Sequence, residues 1–145
     1  LDLATRALDR AAEGPANLVL EASIDRRRGE VLLRQGSLDE AKQHLVAASE
    51  QFNRLGQIGP AATTLRLLGD LAALEGQRLL AAQLLSQAMA ESAQAGDLAG
   101  ALRALTHLLV IEDCGTDYRR VAELRSLHSD LSDLAGPPVD EEPPR

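Results

Sequence analysis

The chain has 145 residues and a formal charge of −7, from 22 acidic against 15 basic side chains. A single domain with a core fits this length. The acidic balance, with no basic run beyond Arg26–Arg28, argues against nucleic acid, which needs many phosphate-neutralising cations, and against an anionic membrane surface.

Leu (28) and Ala (24) supply most of the apolar content, with one Phe, one Tyr, one Met and no Trp. Side chains such as Leu, Ala, Arg, Glu and Gln lose little freedom in a helix, so an all-α fold is predicted. The single cysteine, Cys114, cannot form an intramolecular disulfide, and a reducing, cytoplasmic setting is expected. No apolar run approaches the roughly 18 residues of a membrane span.

The opening "LDLATRALDR" lacks an initiator Met and already has a helical pattern. It predicts a helix over 2–13 and a chain that is a piece of a longer protein. "EGPAN" (13–17) interrupts it, and a helix over 17–35 follows, ending at Gly36-Ser37. Ser37, with Glu40 three residues on, predicts a capping box for a helix over 38–55. Its apolar stripe is Leu38, Ala41, Leu45, Ala48, Phe52 and Leu55. "LGQIGP" (55–60) precedes a helix over 60–75 with Pro60 in its first turn. The face of that helix (Ala61, Leu65, Leu68, Leu71, Ala72, Leu74) is wide enough for neighbours on two sides.

Gly76-Gln77 leads into a helix over 78–95, "AGDLAG" (95–100) into one over 99–113, and "DCGTD" (113–117) into one over 118–134. The last carries a narrow stripe of Val121, Leu124, Leu127, Leu131 and Leu134. A glycine just past each run suits a left-handed C-cap, and loops of a few residues force antiparallel neighbours. The final "GPPVDEEPPR" (136–145) cannot repay ordering entropy and is expected to be a disordered tail or linker.

"GEVLLRQGSLDEAKQHLVAASE" begins at Gly29, and "GDLAALEGQRLLAAQLLSQAMAE" begins at Gly69. Run on to the next glycine, they match at Gly29/Gly69, Gly36/Gly76, Ala41/Ala81, Gln43/Gln83, Leu45/Leu85, Ala48/Ala88 and Gly56/Gly96. A mid-helix glycine costs about 0.5–1 kcal/mol relative to Ala. Its recurrence predicts a neighbouring backbone too close for a Cβ, with Ala41 and Ala81 facing Gly29 and Gly69. Two-helix units that cannot bury their faces alone stack into a solenoid.

The stretches "LRLLGDLAALEGQRLLAAQLLSQA" (65–88) and "DRRRGEVLLRQGSLDEAKQHLVAA" (25–48) resemble tetratricopeptide repeats. Asp25 and Arg28 stand where that family has large apolar residues. Residues 99–134 match more loosely, with Leu109 in place of Gly and Val121 in place of Ala. The forty-residue period exceeds the family's usual 34 or so and is similar to the long-helix variety of Leu-Gly-Asn-type scaffolds, kinesin light chains and several bacterial signalling regulators. HEAT-type repeats have similar periods and are the structural alternative.

The resemblance implies a right-handed α-solenoid of about seven helices over 1–135. Residues 1–16 would close an earlier repeat, and 17–56, 57–96 and 97–135 would be repeats. It also implies a non-enzymatic protein-interaction scaffold that binds a peptide or helix in its concave groove. The alternative is a ligand- or peptide-sensing segment of a larger bacterial signalling or transcription regulator. The first helix, without a preceding partner, is a candidate surface for self-association.

In this register Arg26 and Arg66 occupy equivalent inner positions. Arg34, Arg103 and His107 fall near the same groove, with Glu30 and Asp70 between them. Such a stripe could grip an acidic peptide through bidentate, charge-assisted bonds. Alternatively the arginines are solvated or pair with Glu30 and Asp70 one turn on, worth only a few tenths of a kcal/mol each. Some tetratricopeptide domains clamp a C-terminal carboxylate. Here Glu30 and Leu67 hold the positions of the clamp's Asn, so an internal acidic motif or a docked helix is expected instead.

His107 and Cys114 share a helical face seven residues apart, yet zinc needs four ligands and a catalytic Cys–His pair needs an oxyanion hole. They are read as a groove-edge His and a small buried Cys, and His44 and His128 as single surface residues. No phosphate loop or calcium loop occurs. No enzyme activity, metal or cofactor is expected.

Overall fold

The computed structural model describes residues 14–113 and 118–136. Within them lie six α-helices: α1 (Pro15–Arg34), α2 (Leu38–Arg54), α3 (Ile58–Leu74), α4 (Arg78–Gln94), α5 (Leu98–Asp113) and α6 (Tyr118–Ala135). The helix expected over 2–13, Cys114 and the tail beyond Gly136 fall outside the described residues.

Three helices start earlier than the sequence reading has them, α5 by one residue and α1 and α3 by two, the last two with a proline in the first turn. Pro15 opens α1 at its first position, after Gly14 with φ 87°, where its missing N–H would have had no partner. Pro60 lies in the third position of α3 rather than the first, which is still among the unpaired first-turn donors.

The turns share one construction. Gly36, Gly56, Gly76 and Gly96, spaced every twenty residues, all have positive φ. At the first, Ser37 N–H donates to Leu32 O at 2.9 Å and Gly36 N–H to Leu33 O at 3.1 Å. These two bonds make a Schellman motif, and the same pair recurs after α2, α3 and α4. The residue after each glycine then starts the next helix: Ala41, Ala61, Ala81 and Ala101 donate to the carbonyls of Ser37, Gln57, Gln77 and Asp97. Links within and between hairpins are therefore alike, and the forty-residue repeat is built on a twenty-residue cadence.

The expected capping box is not formed, because the Ser37 side chain makes no capping bond. Its backbone N–H and C=O are both committed to the turn. Asp97 does cap: its Oδ1 accepts from Gly100 N–H at 2.9 Å. A Cβ on Gly100 would strike the Asp97 carboxylate, with Cγ at 2.8 Å, so the glycine makes room for the cap.

The four alanines are at most 1 % exposed. Each sits in the first turn of its helix, against the helix before it. The core is a chain of small clusters. Ala22, Ala48, Phe52 and Ala61 join α1, α2 and α3; Ala41, Leu45, Leu67 and Leu71 join α2 and α3, with Leu32 and Leu33 of α1 packed against them. Leu65, Ala88 and Ala104 join α3, α4 and α5; Leu85, Leu105, Leu108 and Leu124 join α4, α5 and α6. No cluster spans more than three consecutive helices, as in a stack where each unit meets only its neighbours.

Gly29 and Gly69 are sites of close approach, but chiefly to a side chain. A Cβ at Gly29 would lie 2.6 Å from Leu45 Cγ and 3.3 Å from Ala41 O; at Gly69 it would lie 2.8 Å from Leu85 Cγ and 3.5 Å from Ala81 O. The recurring leucine fills the notch, and the alanine carbonyl is its second wall. Two stripes are trimmed: Leu74 at the end of α3 is 64 % exposed, and in α6 Leu127 is 38 % and Leu134 72 % exposed. Ala62 and Leu67, outside the expected stripe of α3, are buried instead.

Contacts beyond sequential neighbours are one-sided. α1 reaches α3 and α3 reaches α5, whereas α2 and α4 do not meet. The side on which α1, α3 and α5 meet is called the inner one below.

Candidate functional site

The convergence of α1, α3 and α5 brings together the charged residues of their inner faces. Arg26 and Glu30 come from α1, Arg66 and Asp70 from α3, and Arg103 and His107 from α5. Spacings of four residues place each pair on one stripe.

Glu30 is shared by two arginines of its own helix, Arg34 Nη2 at 2.9 Å and Arg26 Nη1 at 4.0 Å. Arg34 is 76 % exposed, at the outer end of α1, and is the least enclosed of the candidates. Arg26 lies lower, and its Nε is buried without a hydrogen-bond partner, which costs about 1–3 kcal/mol for such a group.

Asp70 links two helices. Its Oδ1 bonds His107 Nδ1 across to α5 at 2.6 Å, while Oδ2 stands 3.6 Å from Arg66 Nη1. The pairing one turn on is thus present, Arg26 with Glu30 and Arg66 with Asp70. Arg66 is the most covered of them, its side chain 14 % exposed. Burial pushes its guanidinium below the ordinary value; Asp70 opposes this and the nearby Arg103 adds to it. Glu30 and Arg26 also act on Arg66, so these five charged groups form one electrostatic unit. Arg103 has no hydrogen bond or ion pair among the described residues.

Next to this unit a polar cleft of about 180 Å³ opens between the N-terminal halves of α3 and α5, lined by Thr63, Arg66, Ser92, Asp97, Gly100 and Arg103. Toward the C-terminal ends of the same helices lies an apolar hollow of about 390 Å³, with Leu74, Val110 and Ile111 beside Asp70 and His107. A third hollow, about 470 Å³, lies between α1 and α2 at Arg28, Val31, Glu40 and His44.

The other histidines are not solitary. His44 Nδ1 is 3.2 Å from Asp25 Oδ1, and His128 Nε2 is 3.2 Å from Thr106 Oγ1. Asp25, at a position expected to be apolar in a tetratricopeptide repeat, thus ties α1 to α2. The His107–Asp70 bond and the α3–α5 cleft were not legible in the sequence, because Arg103 is one turn displaced from the repeat position of Arg66. Its contribution depends on how α5 sits against α3. Among the described residues no group of three potential metal ligands comes together, and no helix is long and apolar enough to cross a membrane. Comparison with protein-family models, with curated proteins and with solved structures found no match to this chain.

Proposed function

We propose that this chain is a tetratricopeptide-like, right-handed helical-repeat module that binds a peptide or helix of a partner protein on its inner face, without catalysis. The observation that carries the reading is the inner arginine set. Four guanidiniums (Arg26, Arg34, Arg66, Arg103) face two carboxylates, Glu30 and Asp70, in a chain whose overall charge is −7. An acidic protein that gathers excess positive charge on one face is complementary to an acidic segment. Rigid stacked helices supply that face at little ordering cost. The leucine-filled notches at Gly29 and Gly69 and the uniform turns support the repeat reading. So does the one-sided convergence of α1, α3 and α5.

Selection from a displayed library of random dodecapeptides tests this. The wild-type chain enriches acidic sequences, and the double reversal Arg26→Glu, Arg66→Glu loses them while keeping its helical circular dichroism. Equal enrichment by the folded double variant refutes the reading.

A further inference from the structure

We propose that the cleft between the N-terminal halves of α3 and α5 is a carboxylate-binding subsite closed by Arg66 and Arg103. Arg66 presents five N–H donors, and its one acceptor, Asp70, stands at 3.6 Å while holding His107 at 2.6 Å. Arg103, across the cleft, has no acceptor among the described residues, yet lies close enough to act on Arg66 electrostatically. Two neighbouring guanidiniums, one of them largely covered, repel each other unless an anion sits between them. A planar carboxylate matches the guanidinium fork with two parallel bonds.

The rest of the lining suits this ligand. The Ser92 hydroxyl offers a donor, the Thr63 hydroxyl already donates to Gly59 O at 3.3 Å, and Gly100 keeps the wall free of a Cβ. Asp97, the one acid on the lining, is the exception: its charge opposes an anion, although its Oδ1 is held by the Gly100 N–H at the start of α5. A volume of about 180 Å³ admits a carboxylate on a short stem and little more.

The carboxylate has two possible sources: a free small acid, or an Asp or Glu side chain of a bound peptide. The second rests on the interaction-module reading, the first does not. Titrations of the whole chain followed by ¹H–¹⁵N shifts separate them, using glutarate and the blocked peptide acetyl-Ala-Ser-Asp-Ala-Ser-Ala-amide as probes. The Asn-for-Asp peptide is the control.

Saturable shifts at Thr63, Gly100 and Arg103 are expected. Arg103→Gln weakens binding about tenfold or more, because a charge-assisted bond is lost. Arg54→Gln, on the exposed end of α2, leaves it within about twofold. A peptide bound about tenfold tighter than glutarate assigns the site to a polypeptide. Glutarate bound as tightly as the peptide sustains the subsite and removes support from the module reading. The subsite is overturned if neither probe saturates at roughly 10 mM, if the Asn peptide binds as well, or if Arg103→Gln binds like wild type.

Discussion

Gly29→Ala is the sharpest probe of how the repeats pack, because two effects of opposite sign compete at one atom. In an isolated helix the change is favourable by about 1 kcal/mol. Here the new Cβ would lie 2.6 Å from Leu45 Cγ and 2.7 Å from Cδ2, whereas carbon atoms in contact sit at about 3.5–4.0 Å. Leu45 is fully buried and Cγ is its branch point, so it cannot swing aside. Either α1 and α2 part by about 1 Å or Leu45 leaves its rotamer, a strain of about 1–3 kcal/mol. The net expectation is a loss of about 1 kcal/mol.

Leu45→Ala alone costs about 2–5 kcal/mol. In that background both clashing atoms are gone and the nearest neighbour is Ala41 O at 3.3 Å. Gly29→Ala then turns stabilising by up to about 1 kcal/mol. Urea unfolding of the four chains, followed by circular dichroism and compared at constant m, gives the cycle, with an expected coupling of about 2 kcal/mol. If Gly29→Ala stabilises the otherwise wild-type chain, or the two changes add within about 0.5 kcal/mol, the notch account is wrong. Gly69→Ala, with Leu85 Cγ at 2.8 Å and Cδ2 at 3.1 Å, should be the milder of the pair.

Other outcomes follow from the same geometry. Asp97→Ala should cost about 1 kcal/mol in urea unfolding through its lost cap, whereas Ser37→Ala, with no cap bond to lose, should cost a few tenths at most. Gly76→Ala, at φ 79°, should lower stability by about 1–2 kcal/mol, while Gly59→Ala, with open space around its Cβ, should be neutral or gain up to about 1 kcal/mol. Phe52→Ala should remove about 3–5 kcal/mol, since the chain's one Phe is fully buried where α1, α2 and α3 meet. Arg66→Met should leave the unfolding free energy within about 1 kcal/mol of wild type, because a half-buried ion pair contributes little net stability and Asp70 retains His107. The same variant should lose carboxylate binding.

Helix type, the glycine punctuation and the two-helix unit were legible in the sequence because they rest on local rules. Leu and Ala favour helix wherever they fall, a glycine past an apolar run takes the left-handed cap, and Gly29 with its echo at Gly69 marks a close approach whatever the partner. That partner was not legible. A notch can be filled by backbone or side chain, and the Leu45 rotamer between α1 and α2 decided which.

The inner face divides the same way. Arg26–Glu30 and Arg66–Asp70 follow from helical spacing alone, so the sequence by itself determined those pairs. The His107–Asp70 bond, the coupling of Arg103 to Arg66 and the cleft they border join residues 37 positions apart. Their distances depend on how α3 and α5 converge around α4, a packing angle set by the side chains of all three helices. Sequence spacing fixes which face of a helix a residue occupies; the tertiary structure alone decided which faces meet.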